Sequence, residues 1–459
     1  MNARIFKSLM ASTALGLVLA ATPASAQSTQ DLLNELKALK TKVETLEKKV
    51  EESEKKDAEK GAPGFKIKWE PAPSISSNDG RFEMNVRGRI FADAVFFDDN
   101  GIAGKTKTTE FRAARLGLEG KAWNNVKYKF EIDFAGNSVD IKDAYLQLKT
   151  GDFKWTFGQH KTPNSLDEQT SSRYITFMER AAFTDAFGLA RQLGASVGTG
   201  GDSWTFTLGA FRGDANGATD MDLGSTFAGR ATWGPTLGNT DTNFHLGTSF
   251  RYRMIGDDQG LIRYRQRPFV HATSKRFINT DHIASDDLFF GVEAAVVHGR
   301  FSIQSEYAWL WAEIDPGNDP GFSPTSERAS FTGGYIDASV FLTDDHRSYD
   351  PKKGSFGRVK PSEPLFNGGL GAIQVAYRYD MIDLNDVVSL VGGGTTTIYG
   401  GEQNTHILGL NWYWNNYVRW MFNYSHSKIT DSMLEASSLV DVNGNNSIDT
   451  FSIRAQVDW

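Results

Sequence analysis

The sequence predicts an all-β fold, a transmembrane antiparallel β-barrel of about 16 strands (about 18 is the alternative), preceded by a short α-helical coiled coil. Three features predict it. The chain begins with an export leader, its long middle part alternates apolar and polar residues in many short segments, and its last segment alternates without a fault up to a terminal aromatic residue. These features indicate a barrel in a membrane outside the cytoplasm.

The first residues have the pattern of a secretory signal peptide. Arg4 and Lys7 precede the apolar stretch Leu9–Ala20, and Ala24–Ala26 forms a small-residue cleavage site. The apolar run is too short to cross a bilayer as a helix, so residues 1–26 are predicted to be a removed signal peptide.

Residues 27–60 are predicted to form a periplasmic helix with a heptad-phased apolar seam, followed by a linker and the start of the barrel over residues 61–80. The seam residues recur at spacings of four and three: Leu32, Leu36, Leu39, Val43, Leu46 and Val50. A helix this short is marginal alone, which favours self-association as a coiled coil. The alternatives are a helix lying against the barrel and an amphipathic linker.

Composition excludes several classes of protein. Beyond the leader the chain contains no apolar run long enough for a transmembrane helix, and its mean hydropathy is −0.40. The absence of cysteine excludes disulfides and thiol chemistry. Without the two basic residues of the leader, the 49 basic and 56 acidic side chains of the chain leave a net charge near −9. We therefore expect no nucleic-acid partner and no cofactor.

Residues 81–459 are predicted to form the barrel. In Phe451–Trp459 every odd-numbered residue is apolar, and in Val126–Phe134 five apolar residues share one face opposite four charged ones. Because successive side chains of a strand point to opposite faces, one face of each segment suits lipid and the other a water-filled lumen. About 25 residues per strand and connection predict the strand number.

The predicted inward faces carry many basic residues, several of them at i, i+2 spacing. Alternate residues of a strand lie about 6–7 Å apart, so such arginines form a ladder of guanidinium groups that can bind oxyanions in series. The candidate pore-lining residues are Arg87, Arg89, Arg112, Arg115, Lys127, Lys129, Arg180, Arg251, Arg253, Arg263, Arg265, Arg267, Arg378 and Arg454.

Spacing alone supports a second interpretation equally well, in which these arginines only brace the wall by pairing with acidic residues of neighbouring strands. Acidic candidates on the same inward phases are Glu83, Asp93, Glu119, Glu131, Asp133 and Asp380. Pro268 also indicates that the Arg263–Arg267 row is a loop or a strand end. The segment between Lys161 and Arg191 is too long for a turn and is predicted to be an inward-folded constriction loop.

The chain resembles the porin O/P family, the phosphate- and polyphosphate-selective outer-membrane porins. The matching stretches are Phe82–Ala92, Phe111–Tyr128, Phe157–Arg180, Tyr377–Asp380 and Thr405–Tyr413. The resemblance implies a 16-stranded, trimeric porin with inward-folded loops and a basic ladder that guides anions. Arg89 and Arg180 match family arginines, and Arg112 matches the first of an Arg-Arg pair. Ala113 replaces the second arginine, and Trp459 stands where the family usually ends on Phe.

The expected function is therefore passive diffusion of small anions, phosphate or polyphosphate, through a trimeric outer-membrane porin rather than an enzymatic reaction. The expected partners are a homotrimer, outer-membrane lipid, the barrel-assembly machinery through the C-terminal strand, and small anions. Two alternatives stay open. One is a general or carboxylate-preferring porin, and the other is a coiled-coil tether to the cell wall with the barrel as its anchor.

Overall fold

The computed structural model of the protein describes residues 34, 37–49, 64–69, 72–99, 106–136, 138–216, 224–237, 242–256, 260–315, 328–389, 394–432 and 439–459. The chain divides into two units, Met1–Phe65 and Lys66–Trp459. The predicted signal peptide lies outside the described residues.

In the first unit, residues 37–49 are helical, in agreement with the predicted helix. Leu39, Val43 and Leu46 are each about half exposed, at 53, 50 and 55%. An apolar seam that is exposed on a single helix needs a partner, so the coiled coil stays a prediction. The other three seam residues lie outside the described part of the chain: Leu32, Leu36 and Val50.

The second unit is a closed antiparallel barrel of 16 wall strands, which confirms the predicted fold class and strand number. The wall strands are β1 Glu83–Asp98, β2 Thr106–Ala122, β3 Val126–Asp133, β4 Asp140–Thr150, β5 Phe153–Lys161, β6 Arg191–Gly200, β7 Trp204–Phe211, β8 Ser225–Trp233, β9 Thr242–Met254, β10 Ile278–His298, β11 Phe301–Ile314, β12 Arg328–Phe341, β13 Ala372–Ser389, β14 Thr395–Tyr413, β15 Val418–Ser432 and β16 Asn446–Asp458.

Shorter elements lie outside the wall. They are the strands Phe65–Lys68, Ser74–Ser77, Ile262–Gln266, Tyr349–Asp350 and Ser355–Phe356 and the helices α1 Leu166–Gln169 and α2 Ala182–Ala186. No helix in the described ranges has both the length and the apolar composition that crossing a membrane requires.

The barrel closes where β16 pairs with β1, with Arg454 opposite Asp93. In residues 451–458 of β16 the apolar side chains lie on the outer face and the polar side chains on the inner face, as the alternating sequence predicted. Phe451 is 43% exposed on the outside, whereas Arg454 is 1% exposed on the inside. Closure leaves the sheet without an open edge, which a strand barrel in lipid requires.

The connections distinguish the two ends of the barrel. Residues 123–125, 151–152 and 299–300 are short turns at the end where the wall begins and finishes, and we call it the turn end. The opposite end, the loop end, carries most of the long connections. In membrane barrels short turns face the periplasm and long loops face outward.

Three long connections contribute to the barrel interior. We call residues 162–190 the constriction loop, residues 260–277 the arginine loop, and residues 342–371, which connect two strands at the turn end, the turn-side loop. The constriction loop contains both short helices, and its Phe183 and Phe187 are 1 and 0% exposed. Phe183 stacks on the inward wall residues Phe289 and Tyr335 at ring-centroid distances of 6.4 and 6.3 Å. The interior therefore contains an apolar core, which the alternating pattern of the wall did not predict.

Polar side chains of the far wall anchor the constriction loop. The Glu306 carboxylate accepts hydrogen bonds from the backbone N–H groups of Leu166 and Asp167 at 2.8 and 2.6 Å. Arg419 donates to the carbonyl of Ile175 at 2.9 Å, and Arg454 donates to that of Met178 at 2.7 Å. These contacts hold the loop against β11, β15 and β16.

Candidate functional site: a basic passage beside the constriction loop

Most wall arginines of the predicted ladder face inward and are paired with acids. Arg454 makes two hydrogen bonds to the Asp93 carboxylate, both at 2.7 Å, with both side chains almost fully buried. Arg378 binds Asp337 in the same way at 2.6 and 2.9 Å. Bidentate pairs of this kind hold neighbouring strands together and neutralise each other, which is the bracing role.

The other predicted wall cations follow the same rule, with one exception. Six of them form an ion pair with an inward acid of another wall strand. The pairs are Arg89–Glu131 (2.7 Å), Arg115–Asp133 (2.7 Å), Arg87–Glu119 (2.8 Å), Lys129–Asp143 (2.7 Å), Arg251–Asp287 (3.0 Å) and Arg253–Asp287. Lys127 lies on the inward phase of β3 near the turn end and is exposed. Of the six acids proposed from spacing as partners, Asp93, Glu119, Glu131 and Asp133 pair with arginines of the predicted set.

A cavity of about 220 Å³ lies between the constriction loop and the wall beside β1, β2, β5 and β6. Its charged lining has seven cationic side chains against three acidic ones. The cations are Arg112, Arg115, Lys161, Arg180, Arg191, Arg267 and Arg454, and the acids are Glu168, Glu179 and Asp185. Three of these cations are paired with wall carboxylates outside the lining, Arg115 with Asp133, Arg191 with Asp143 and Arg454 with Asp93. The other four face three acids, so the passage has a small excess of positive charge although the chain as a whole is acidic. Five of the seven cations belong to the set predicted from sequence.

A β-bulge aims Arg112 into this cavity. Phe91 pairs with Ala113 and the next residue of β1 pairs with Phe111, so Arg112 is an extra residue in β2. A bulge re-aims a side chain, which explains how Arg112 and Arg115 can both face inward at an odd spacing. Arg112 binds the Glu179 carboxylate at 2.9 and 3.0 Å. Burial alone would raise the pKa of Glu179, but the guanidinium groups of Arg112 and Arg454 lower it to about 2.

The row Arg263, Arg265 and Arg267 does not lie on a wall strand, contrary to its placement among the inward strand faces. It lies on the short strand Ile262–Gln266 and just after it, in the arginine loop, and within the described ranges this strand pairs with the loop end of β10 alone. Ile262, Tyr264 and Gln266 are buried between the arginines, so the alternation resembles that of a wall strand.

The arginine loop contains cations without acidic partners. Among the described residues, the side chains of Arg263 and Arg265 have no hydrogen bond or ion pair, and Arg276 has two buried nitrogens, Nε and Nη1, without a partner. Burial and then the charge of Arg267 lower the pKa of Arg276 to about 10, so it stays charged at neutral pH. Arg267 approaches Asp185 only at 4.0 Å. These four arginines form a positive cluster at the loop end, which we call the arginine cluster.

A second cavity of about 490 Å³ lies towards the turn end. Its cationic lining residues are Lys149, Lys154, Lys161, Arg230, Lys352 and Lys353, and its acidic ones are Asp152 and Asp202. Lys161 lines both cavities. It therefore lies between them, and we call this position their junction.

Sequence reasoning treated Lys161 and Arg191 only as the ends of the constriction loop and did not consider Arg276. Lys161 and Arg191 are directly paired in the register of β5 and β6, so the loop leaves and re-enters the wall between two cations. A basic residue at each end of the predicted inward loop was the feature of the sequence that could have identified Lys161 and Arg191 as residues of the passage. In the described ranges no group of three or more His, Asp or Glu residues could hold a metal ion.

Comparisons with known proteins agree with this architecture. The family described as "Phosphate-selective porin O and P" matches residues 84–459. An uncharacterized protein of Caulobacter vibrioides is 36% identical over 374 residues, covering 78% of this chain and 71% of that protein. Porin O of Pseudomonas aeruginosa is 27% identical over 432 residues, covering 85% of this chain and 91% of that protein.

Among solved structures, the anion-selective porin from Comamonas acidovorans superposes with a TM-score of 0.51 at 10% identity, covering 82% of this chain and all of that chain. At this identity the similarity supports the fold only. The family match spans the whole wall from β1 to β16 and contains the basic passage. The chain therefore belongs to the family of phosphate-selective porins O and P.

Proposed function

We propose that this outer-membrane porin passes small oxyanions of the phosphate class by passive diffusion along the basic passage. The observation that supports the proposal best is the cationic lining of the narrow cavity, in which four cations, Arg112, Lys161, Arg180 and Arg267, share only three acids as ion-pair partners among the described residues. A low-dielectric wall around such a lining concentrates anions and repels cations. The path would run from the arginine cluster, past the constriction loop and Lys161, to the cavity at the turn end.

In this proposal the arginines have two roles that depend on their partners. Wall arginines such as Arg454 are neutralised by buried carboxylates and act mainly as braces. Arg263, Arg265 and Arg276 have no such partner among the described residues, and they would supply the attraction that draws anions in. Guanidinium groups suit this role because they bind oxyanions bidentately and are weakly hydrated.

The test is electrical. The purified protein in planar bilayers under a KCl gradient should show a reversal potential of the sign for chloride selectivity, and added phosphate should block the chloride current. The double substitution Arg263→Gln, Arg265→Gln should reduce both effects. Arg328→Gln is the control, because Arg328 lies at the same end on the outer face and pairs with Glu313 at 3.1 Å. Cation selectivity of the wild-type channel would exclude the proposal.

The assembly is a second part of the proposal. The exposed positions Leu39, Val43 and Leu46 favour a coiled coil that joins three barrels, each inserted in outer-membrane lipid. Deleting residues 27–60 should leave a folded barrel that migrates as a monomer after mild crosslinking. If the deletion instead keeps the trimer but detaches the envelope, the helix is a cell-wall tether. The paired C-terminal strand would be the element that the barrel-assembly machinery binds.

A further inference from the structure

At the junction of the two cavities, an acidic side chain occupies the place between two cations. Glu168 belongs to helix α1 and is 6% exposed. Its carboxylate lies 3.4 Å from the Lys161 Nζ and 2.9 Å from the Arg180 Nε. The predicted ladder included Arg180 but did not include the acid that bridges it to Lys161.

The positions of the two cations do not depend on that carboxylate alone. Lys161 also donates to the backbone carbonyls of Glu168 and Thr170, the latter at 3.3 Å. Arg180 donates to the carbonyls of Asp167 and Thr170, the latter at 2.9 Å. Both cations would therefore stay in place if the Glu168 carboxylate lost its charge or moved away.

The backbone of Glu168 is fixed as well. Its N–H group donates to the Ser165 Oγ at 3.2 Å, and the preceding N–H groups of α1 donate to Glu306 of the far wall. Only the side chain of Glu168 is then free to leave the cation pair. The side chain can rotate while the loop stays anchored.

We propose that Glu168 is a resident counter-anion that a passing oxyanion displaces from Lys161 and Arg180, and this proposal depends on the proposed function. When Lys161 is protonated, Glu168 reduces the net charge that the three side chains present to an arriving anion from two to one. A conducting site must bind an ion well enough to admit it and weakly enough to release it. The carboxylate supplies the weakening, because it returns to the cations as the anion leaves.

The same arrangement favours a class of substrate. An anion that displaces the Glu168 carboxylate must replace both of its contacts, one with Lys161 and one with Arg180. A phosphate-like oxyanion has several oxygens and can contact Lys161 and Arg180 together, whereas chloride is a single atom. Glu168 would therefore disfavour halides more than polyoxyanions.

The test compares Glu168→Gln with wild type in planar bilayers at about pH 6, so that Lys161 carries its proton. It measures the phosphate concentration that halves the chloride current and the current carried by phosphate alone. We expect the half-blocking concentration to fall by about three- to tenfold and the saturating phosphate current to decrease, because the cations would hold the anion longer. Glu313→Gln is the matched control, since the Glu313 carboxylate also pairs with an arginine, Arg328 at 3.1 Å, but lies on the outer face of β11 and lines neither cavity; it should change the half-blocking concentration less than about twofold.

The outcomes separate this proposal from the proposed function. A wild-type channel without anion selectivity would remove the proposed function itself. A wild-type channel that selects anions, together with a Glu168→Gln channel in which phosphate block is unchanged or weaker, would overturn only the role of Glu168. Folding of each variant is checked by heat-modifiable migration in SDS. If Glu168→Gln does not fold, Lys161→Gln should raise the half-blocking concentration at least about fivefold, and no change would overturn the proposal.

Discussion

Replacing Arg454 by Gln tests whether the wall arginines brace the barrel. Arg454 is 1% exposed, donates twice to Asp93 and once to the Met178 carbonyl, all at 2.7 Å, and approaches Glu179 at 3.2 Å. The substitution removes the positive charge at the seam where β16 closes on β1. It leaves the Asp93 carboxylate, itself almost fully buried, without its partner.

The expected loss of stability follows from that burial. Breaking a buried pair on one side costs about 3–5 kcal/mol, since an uncompensated charge stays in a poorly polar site. At 1.4 kcal/mol per tenfold change, the ratio of folded to unfolded protein falls by roughly 100- to 4,000-fold. The double substitution Asp93→Asn, Arg454→Gln should recover a large part of this loss, because no unpaired charge remains.

The assay is thermal unfolding in detergent, followed by circular dichroism and by heat-modifiable migration. Arg87→Gln is the matched control, because Arg87 pairs with Glu119 at 2.8 Å but the two side chains are 26 and 36% exposed. An exposed pair of this kind contributes about 0–1 kcal/mol. The bracing role is wrong if Arg454→Gln unfolds like wild type while its channel loses anion selectivity.

Three further predictions concern the interior and the closing seam. Phe183→Ala removes the ring stacked on Phe289 and Tyr335, which should cost about 3–5 kcal/mol of packing energy. The loosened constriction loop should give a noisier and larger single-channel current, and an unchanged current would contradict the anchoring role of this core. Because the pKa of Glu179 is lowered from 4.5 to about 2, its ion pairs stabilise the protein above about pH 4.5, and this stabilisation is lost as the pH falls towards 2. The difference in Tm between wild type and Glu179→Gln should therefore shrink between about pH 4.5 and 2 and stay constant between about pH 5 and 8. Gly88→Val places a Cβ 2.1 Å from the ring of Trp459 and should lower the yield of folded barrel in SDS, whereas an undiminished yield would show that the terminal ring moves aside freely.

Period-two alternation predicted the wall well, because burial on one face and lipid on the other impose the same pattern on every strand. It placed Phe451 outside and Arg454 inside, and the length per strand predicted 16 strands correctly. It could not identify the partner of Arg454. Asp93 is 361 positions away, and the two meet only because the last strand closes on the first.

The interior loops were less predictable because their elements are too short to show a period. Helices α1 and α2 have four and five residues, so nothing in the sequence pattern revealed that Phe183 and Phe187 are buried inside the barrel. The strand Ile262–Gln266 shows the opposite problem. It alternates like a wall strand, yet its buried face packs on the core formed with the loops, and the described part of the chain gives it one neighbouring strand.

The acidic net charge of the chain is compatible with a basic passage because the arginines that pair with acids lie mainly on the wall strands, whereas the arginines without acidic partners lie mainly on the loops. Inward wall acids such as Asp93 and Asp337 are neutralised by arginines on the same wall, so the wall contributes little net charge to the lumen. The cations without a carboxylate of their own lie mainly on the loops and at their ends, with Arg265 and Arg276 at the mouth, while Lys161 and Arg180 share the single carboxylate of Glu168 at the junction. In the proposed channel the wall therefore provides rigidity and the loops determine the cargo. Loop sequences can then change selectivity without disturbing the pairs that close the barrel.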